Sequence, residues 1–284
     1  MHLLTHTLFH SFLDTIKIIP FIFLMYLLIE YFEHKNNTHL SHKLMKTKFS
    51  GPVFGGLFGS IPQCGFSVIA SDLYSKRAIT LGTLIAIFIA TSDEAIPIIL
   101  STPQKSHIVL ELILIKIIIA ILFGFIIDLI YKNKKEIICD SSNEHHHFHG
   151  NCESCEDGII KSALIHTVKI FLFVFIASFI FSLAIEITGE EKLTSLFLKE
   201  SFIQPFIASL IGLIPNCAAS VILTQGFLNG IISFGSLVAG LCSGAGVGLL
   251  VLFKRNKNLK ENITILIILI LIGTLSGFTI QYII

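Results

Sequence analysis

Two short stretches carry the residues most able to do chemistry. Pro62-Gln63-Cys64 is followed by Gly65 and Ser67, and Pro215-Asn216-Cys217 is followed by Ser220, so an amide, a thiol and a hydroxyl recur in the same order. Both stretches lie inside strongly apolar runs. Pro62 and Pro215 interrupt helical hydrogen bonding and Gly65 relaxes the turn after the first, so these three residues read as hinges. Irregular backbone at membrane depth is tolerated only where protein or a water-filled cavity satisfies it. A buried cysteine is usually a small hydrophobe; its recurrence beside an amide and a hydroxyl makes Gln63, Cys64, Ser67, Asn216, Cys217 and Ser220 candidates for a substrate site.

A second candidate is Thr91-Ser92-Asp93-Glu94, again within an apolar run. Carboxylates inside a membrane are costly and mark ion or proton pathways. Two adjacent carboxyls in a low dielectric do not both ionise easily, so a shared proton, and with it proton coupling, is the expected behaviour. Pro97 cannot donate to the carbonyl of Asp93, which frees that oxygen as a further ligand. The competing reading is that the two acids cap a helix break or reach the interface.

The third cluster is His145, His146, His147, His149, Cys152 and Cys155 on a hydrophilic loop. Imidazole and thiolate are ligands for soft or borderline transition metals. No resident cofactor is expected beyond a transition metal on this loop, which reads as a capture or sensing segment; a solvated linker is the plainer alternative. A redox role for the CxxC pair lacks a surrounding βαβ pattern.

The elements that must position these residues follow from composition. Of 284 residues 53% are hydrophobic and 14% charged, too little polar surface to close a soluble globule. Apolar blocks near 8–32, 51–74, 78–100, 107–131, 160–186, 202–225, 230–253 and 262–284 approach or exceed the roughly 20 residues that cross a membrane as helix. The first block reads as a retained helix, not a signal peptide. A net charge of +1 gives no reason to invoke nucleic acid. The absence of a GxxxxGK[ST] loop points to secondary transport if the chain is a transporter. Expected partners are the lipid bilayer and a metal ion or metalloid; a homo-oligomer is left open.

The chain repeats itself. At an offset of 153, GSIPQCGFSVI (59–69) lies over GLIPNCAASVI (212–222) with seven identities in eleven positions, and Gly82, Leu84 and Ala86 fall on Gly235, Leu237 and Ala239. Residues 1–131 form the first repeat, 132–159 a His/Cys-rich connector and 160–284 the second. If all eight blocks cross, Lys and Arg outside the blocks divide 11 to 6 between the two sides. If 51–74 and 202–225 are instead re-entrant hairpins bent at the Pro-x-Cys tips, the division is 14 to 3. The positive-inside rule prefers the hairpins and places the connector in the cytoplasm. Each repeat then has three crossings plus one hairpin, and an odd number of crossings inverts the second repeat relative to the first. The expected fold is an all-α polytopic membrane protein of about ten helices; a continuous Pro-kinked helix is the alternative at each tip. In the second repeat Cys242-Ser243-Gly244-Ala245-Gly246 replaces the acidic stretch, and Gly240, Gly244 and Gly248 read as helix packing.

IPQCGFS, TSDEAIPI, the His-rich connector, IPNCAASVILTQ and GVGLLVLFKRNKNLKEN together resemble the ten-helix heavy-metal exporters, a second arsenic-permease-like family whose members are also called arsenic efflux proteins or manganese transporters. The resemblance covers essentially the whole chain and implies metal or metalloid export from the cell, across the inner membrane. Thiols at the tips suit trivalent arsenic, whereas Asp93, Glu94, Gln63 and Asn216 supply oxygens for a harder ion such as manganese. The expected function is a secondary exporter, not an enzyme. A membrane thiol oxidoreductase using Cys64 and Cys217, or a metal sensor that does not translocate, would be the alternatives.

Overall fold

A computed structural model describes residues 23, 50–61, 63, 65–91, 95–135, nine positions between 164 and 180, and 203–283. The described residues are helical and contain no strand. The first repeat contributes α1 (Gly51–Gly59), α2 (Gly65–Ser75), α3 (Leu81–Ala90), α4 (Ala95–Leu100), a 3₁₀ turn (Pro103–Lys105) and α5 (Ile108–Lys135). The second contributes α6 (Gln204–Gly212), α7 (Cys217–Leu228), α8 (Phe234–Ser243), α9 (Val247–Arg255) and α10 (Leu259–Ile283). The two sets follow one plan: half-helix, break, half-helix, then a broken crossing and a long crossing. Four stretches have the length and composition to cross a membrane: Leu81–Leu100, Ile108–Tyr131, Phe234–Arg255 and Leu259–Ile283.

The chain turns back at the first Pro-x-Cys tip. Gly51, at the start of α1, lies against Thr80 and Thr83, and Gly59, at its end, lies against Ile87 and Ala90, so α1 runs parallel to α3. Placed end to end, α1 and α2 would carry the chain about 30 Å at ~1.5 Å per residue. The five residues 76–80 that lead into α3 span at most ~18 Å. Residues 51–75 therefore form a hairpin whose two ends lie at one level. The second repeat does the same. The Gln204 amide donates from Nε2 to the Ile231 carbonyl at 3.0 Å, and Gly212 meets Gly240 and Ser243, so α6 runs parallel to α8 and α7 returns to its starting level.

In each repeat the long helix then runs antiparallel to the broken crossing. Gly82 approaches Gly124 and Asp128, and Gly235 approaches Gly277 and Gln281. At Gly82 a Cβ would fall inside the van der Waals radius of the Gly124 carbonyl oxygen, so glycine is required for this backbone-to-backbone contact. The outer face of α5 carries Leu110, Leu114, Ile118, Leu122 and Ile126, all exposed at a spacing of four, as a helix bathed in lipid requires. Its opposite face buries Leu112, Lys116 and Ala120.

Contacts between the two sets of helices lie at both ends of the broken crossings. At one end Arg77 grips Glu261 through both guanidinium nitrogens, at 2.6 and 2.8 Å, and Tyr74 donates its hydroxyl to the same carboxylate. That hydrogen bond to Glu261 raises the Arg77 pKa still further. Asp72 faces Lys76 at 3.4 Å and the Arg255 Nε at 3.2 Å, and Ser71 Oγ donates to the Gly248 carbonyl at 2.7 Å. At the other end Lys105 donates to the Leu228 carbonyl at 3.1 Å and lies over the Phe227 ring. Within each repeat these contacts belong to opposite ends of the broken crossing.

Blocks 78–100 and 230–253 differ from an uninterrupted helix: each is two half-helices. Thr91 closes α3 in extended backbone, with φ −62° and ψ 130°. Gly244 closes α8 at ψ 91°, and Gly246 opens α9 at φ 51°, a left-handed conformation that favours glycine. Gly240, Gly244 and Gly248 therefore do not share one helical stripe. Gly240 packs on Ala208 and Leu223, Gly248 packs on Ser67, and Gly244 belongs to the break. Pro97 sits in the first turn of α4, where its missing N–H removes no intrahelical bond. Asp128 accepts from the Thr80 hydroxyl at 2.6 Å and the Gly82 amide at 2.8 Å and so caps α3.

Candidate functional site

A small cavity opens where the two broken crossings and the second hairpin tip converge, with Thr91, Asn216, Cys217 and Ser220 among the residues lining it. Ile214, Leu223, Leu241, Gly212, Gly240, Gly244 and Gly246 complete the wall. Glycine recurs there because α6 and α8 touch backbone to backbone at Gly212 and Gly240. Asn216 precedes α7 in extended backbone at φ −146° and ψ 147°, so its amide and the Cys217 thiol stand at the start of a half-helix.

The polar side chains at the tip are oriented by local hydrogen bonds. Ser220 Oγ donates to the Cys217 carbonyl at 2.7 Å, and Thr224 Oγ1 donates to the Ser220 carbonyl at 2.7 Å. Thr91 Oγ1 donates to the Ile87 carbonyl at 2.7 Å. The hydroxyl donors are thus engaged with backbone, leaving oxygen lone pairs as their available function. An amide, a thiol and hydroxyl oxygens around one cavity form a neutral mixed donor set able to hold a soft or borderline metal centre.

Of the residues singled out in the sequence, Thr91 from the first repeat meets Asn216, Cys217 and Ser220 from the second. Ser67 is fully buried and pressed against Gly248 in the α2–α9 seam. Gln63 is half-buried; its backbone N–H donates to Ile61 and its carbonyl accepts from Phe66, forming the turn of the first tip. Gly65 opens α2, and Pro215 stands in the bend before Asn216. Pro62, Cys64, Ser92, Asp93 and Glu94 lie outside the described residues, as do His145, His146, His147, His149, Cys152 and Cys155. Among the described residues, no group of three His, Cys, Asp or Glu converges in a way that could hold a metal ion.

One buried charge beside the cavity is not among the residues singled out in the sequence. Lys116, 1% exposed, projects from α5 into the bundle and donates to the Thr91 carbonyl at 2.6 Å and to the Leu241 carbonyl at 3.0 Å. Both carbonyls belong to residues lining the cavity. The signal was present in ELILIKIIIAI: a lone lysine near the middle of a crossing is an intramembrane charge and calls for a partner.

The model of the family described as "Putative, 10TM heavy-metal exporter" matches residues 1–186 and, separately, 155–284. No curated protein and no solved structure matches the chain.

Proposed function

Because the chain belongs to the ten-helix heavy-metal exporter family, a family of multi-pass membrane transporters and not of enzymes, we propose that it is a secondary exporter whose cargo passes through the cavity between Thr91 and the 214–220 tip. The observation that carries this reading is that the cavity joins the break of one repeat to the hairpin tip of the other. Transporters built from inverted repeats bind their cargo where broken helices meet. Support for the inversion comes from the contacts at the two ends. The loop before α3 meets the first turn of α10, through Arg77 and Glu261, while Lys105 meets the C-terminal end of α7. The domain plan is accordingly a repeat over 1–131, a connector over 132–159 and an inverted repeat over 160–284.

The cargo is a heavy-metal ion or metalloid, held by the Cys217 thiol and by the oxygens of Asn216, Thr91 and Ser220. Manganese is the leading cation and arsenic the leading metalloid. Asp93 and Glu94, which follow Thr91 in the chain, supply negative charge and a shared proton that couples export to proton entry. The His-rich connector captures cargo on the cytoplasmic side of the inner membrane, the side on which Lys and Arg accumulate.

The deciding experiment is a metal-content panel in cells lacking their own exporters, challenged with arsenite, methylarsenite, manganese, zinc, cobalt and cadmium. Expression lowers the cellular content of at least one, and Cys217→Ser together with Asn216→Ala abolishes the effect at equal protein abundance. Unchanged content for all six refutes export. Export that survives the double substitution refutes the cavity as its route.

A further inference from the structure

The turn from α9 into α10 reads Lys254-Arg255-Asn256-Lys257-Asn258-Leu259-Lys260 and lies where two candidate crossings, Phe234–Arg255 and Leu259–Ile283, leave the hydrocarbon. The cations that join the repeats at this end already have carboxylates. Arg255 and Lys76 face Asp72, and Arg77 holds Glu261. Lys257 and Lys260 are exposed, and neither has a carboxylate partner among the described residues. The backbone that presents them is pinned. Asn256 is buried: its Nδ2 donates to Asn262 Oδ1 at 2.9 Å, its Oδ1 accepts from the Asn258 amide at 3.2 Å, and its carbonyl accepts from Asn262 Nδ2 at 3.0 Å. A ligand bound by these two ammoniums therefore has little backbone to order.

A lipid-facing stripe starts at the same level. Leu259, Ile263, Ile267, Leu271 and Leu275 are exposed at a spacing of four along α10. From Leu259 to Ile267 the stripe descends about 12 Å at ~1.5 Å per residue, close to half of a ~30 Å hydrocarbon core, which is the depth an acyl chain reaches from its headgroup. We propose that Lys257, Lys260 and the stripe from Leu259 to Ile267 form a binding site for one anionic glycerophospholipid. The two ammoniums take the phosphodiester, and an acyl chain lies along the stripe. A headgroup of net negative charge is required, because a zwitterionic one sets its own cation beside the lysines. A second copy docked on this stripe about a two-fold axis along the membrane normal would bring the lysines of both copies together, which like charge disfavours. The site is independent of the exporter reading.

Counting bound lipid tests it. Purified protein in detergent is titrated with phosphatidylglycerol, phosphatidylcholine and glycerol phosphate, and native mass spectrometry reads the bound species. Wild type binds one phosphatidylglycerol in preference to phosphatidylcholine. Each lysine near the headgroup is worth about fivefold in affinity, so Lys257→Gln with Lys260→Gln weakens phosphatidylglycerol binding about thirtyfold and removes the preference. Both lysines are exposed and unpaired, so this variant folds as wild type does. Lys257→Arg with Lys260→Arg keeps the preference, and Ile263→Ala with Ile267→Ala weakens binding severalfold while every charge remains. Lys132→Gln with Lys134→Gln, at the end of α5, leaves binding unchanged; an equal loss there would show a diffuse positive surface and overturn the site. Glycerol phosphate bound as tightly as the lipid, no preference in wild type, or a dimer occupying the stripe in place of lipid would each overturn it as well.

Discussion

Glu261 holds together one end of the seam between the repeats, and replacing it with glutamine should loosen that end by a predictable amount. The carboxylate accepts two hydrogen bonds from Arg77, one from Tyr74 and a longer one from Asn256 at 3.4 Å. With side-chain exposures of 48% for Arg77 and 20% for Glu261, the ion pair itself contributes about 0.5–1 kcal/mol after solvent screening. Glutamine can still accept from Tyr74, so that bond loses only its charge-assisted part, about 0.5–1 kcal/mol. The expected loss is about 1–2 kcal/mol, equivalent to roughly a five- to thirtyfold rise in the open fraction of this end. Ser71 reports on it, since it is fully buried where α2 meets Gly248. A single cysteine at Ser71 in an otherwise cysteine-free chain is labelled with a membrane-impermeant maleimide in inside-out vesicles. Glu261→Gln should speed labelling about tenfold, and high salt should speed labelling of the parent but not of the variant. The paired exchange Arg77→Glu with Glu261→Arg should restore much of the protection. Rates within twofold of one another would refute the assignment of this network as the closure. Faster labelling confined to right-side-out vesicles would refute the orientation.

Gly212→Ala should prevent accumulation of folded protein, because the new methyl would overlap the Gly240 carbonyl oxygen, whereas Gly226→Ala, whose nearest neighbour is Ile232 Cγ1 at 3.7 Å, should leave the yield unchanged; size-exclusion profiles of solubilised membranes read both. Asp128→Ala removes the acceptor for Thr80 and for the Gly82 amide and should destabilise the protein by about 1 kcal/mol, in line with loss of a helix cap. Thermal unfolding measures it, and a loss below a few tenths would contradict the capping role. Lys105→Met breaks the bond to the Leu228 carbonyl and the contact with Phe227; proteolysis or cysteine labelling near 228–231 should accelerate severalfold at that end only.

What could be read from the sequence were the features that repeat. The IPxC stretches announced the hairpins because one defect occurring twice at a fixed offset is a signal where one alone is a kink. The breaks at Thr91 and Gly244 were less legible. The first is marked by acids and Pro97, the second by glycines, and no common motif links them, since a helix can be stopped by extended backbone after Thr91 or by the left-handed Gly246. Lys116 was hidden by its surroundings: counting charges only outside the apolar blocks set aside the one lysine that bridges both breaks. The capping role of Asp128 was hidden because its partner, the amide end of α3, is distant in sequence. Ser67 matched Ser220 in the alignment of repeats, yet one lies in a seam and the other on the cavity wall. An internal repeat fixes correspondence of elements, not equality of environment.

The two kinds of contact in the bundle imply where it can move. Inside each repeat the helices meet through glycine: Gly55 and Gly59 on α3, Gly82 on Gly124, Gly212 on Gly240, and Gly235 and Gly273 against α10 and α8. These are backbone surfaces in close apposition, and separating them would leave voids that neither lipid nor a side chain could fill without rearrangement. Between the repeats the contacts at the ends are ion pairs and single hydrogen bonds, from Ser71, Asp72, Arg77 and Lys105. Water can replace the exposed partners, those of Arg77 and Lys105, at about 1 kcal/mol or less apiece. Each repeat therefore behaves as a stiff unit, and the inexpensive displacement is of one unit against the other. Two contacts that cross are of another kind: Gly248 is packed on the buried Ser67 in the α2–α9 seam, and Lys116 is buried and bonded to both breaks at once. A displacement that preserved both of its bonds would rock the units about the middle of the bundle while opening one end and closing the other.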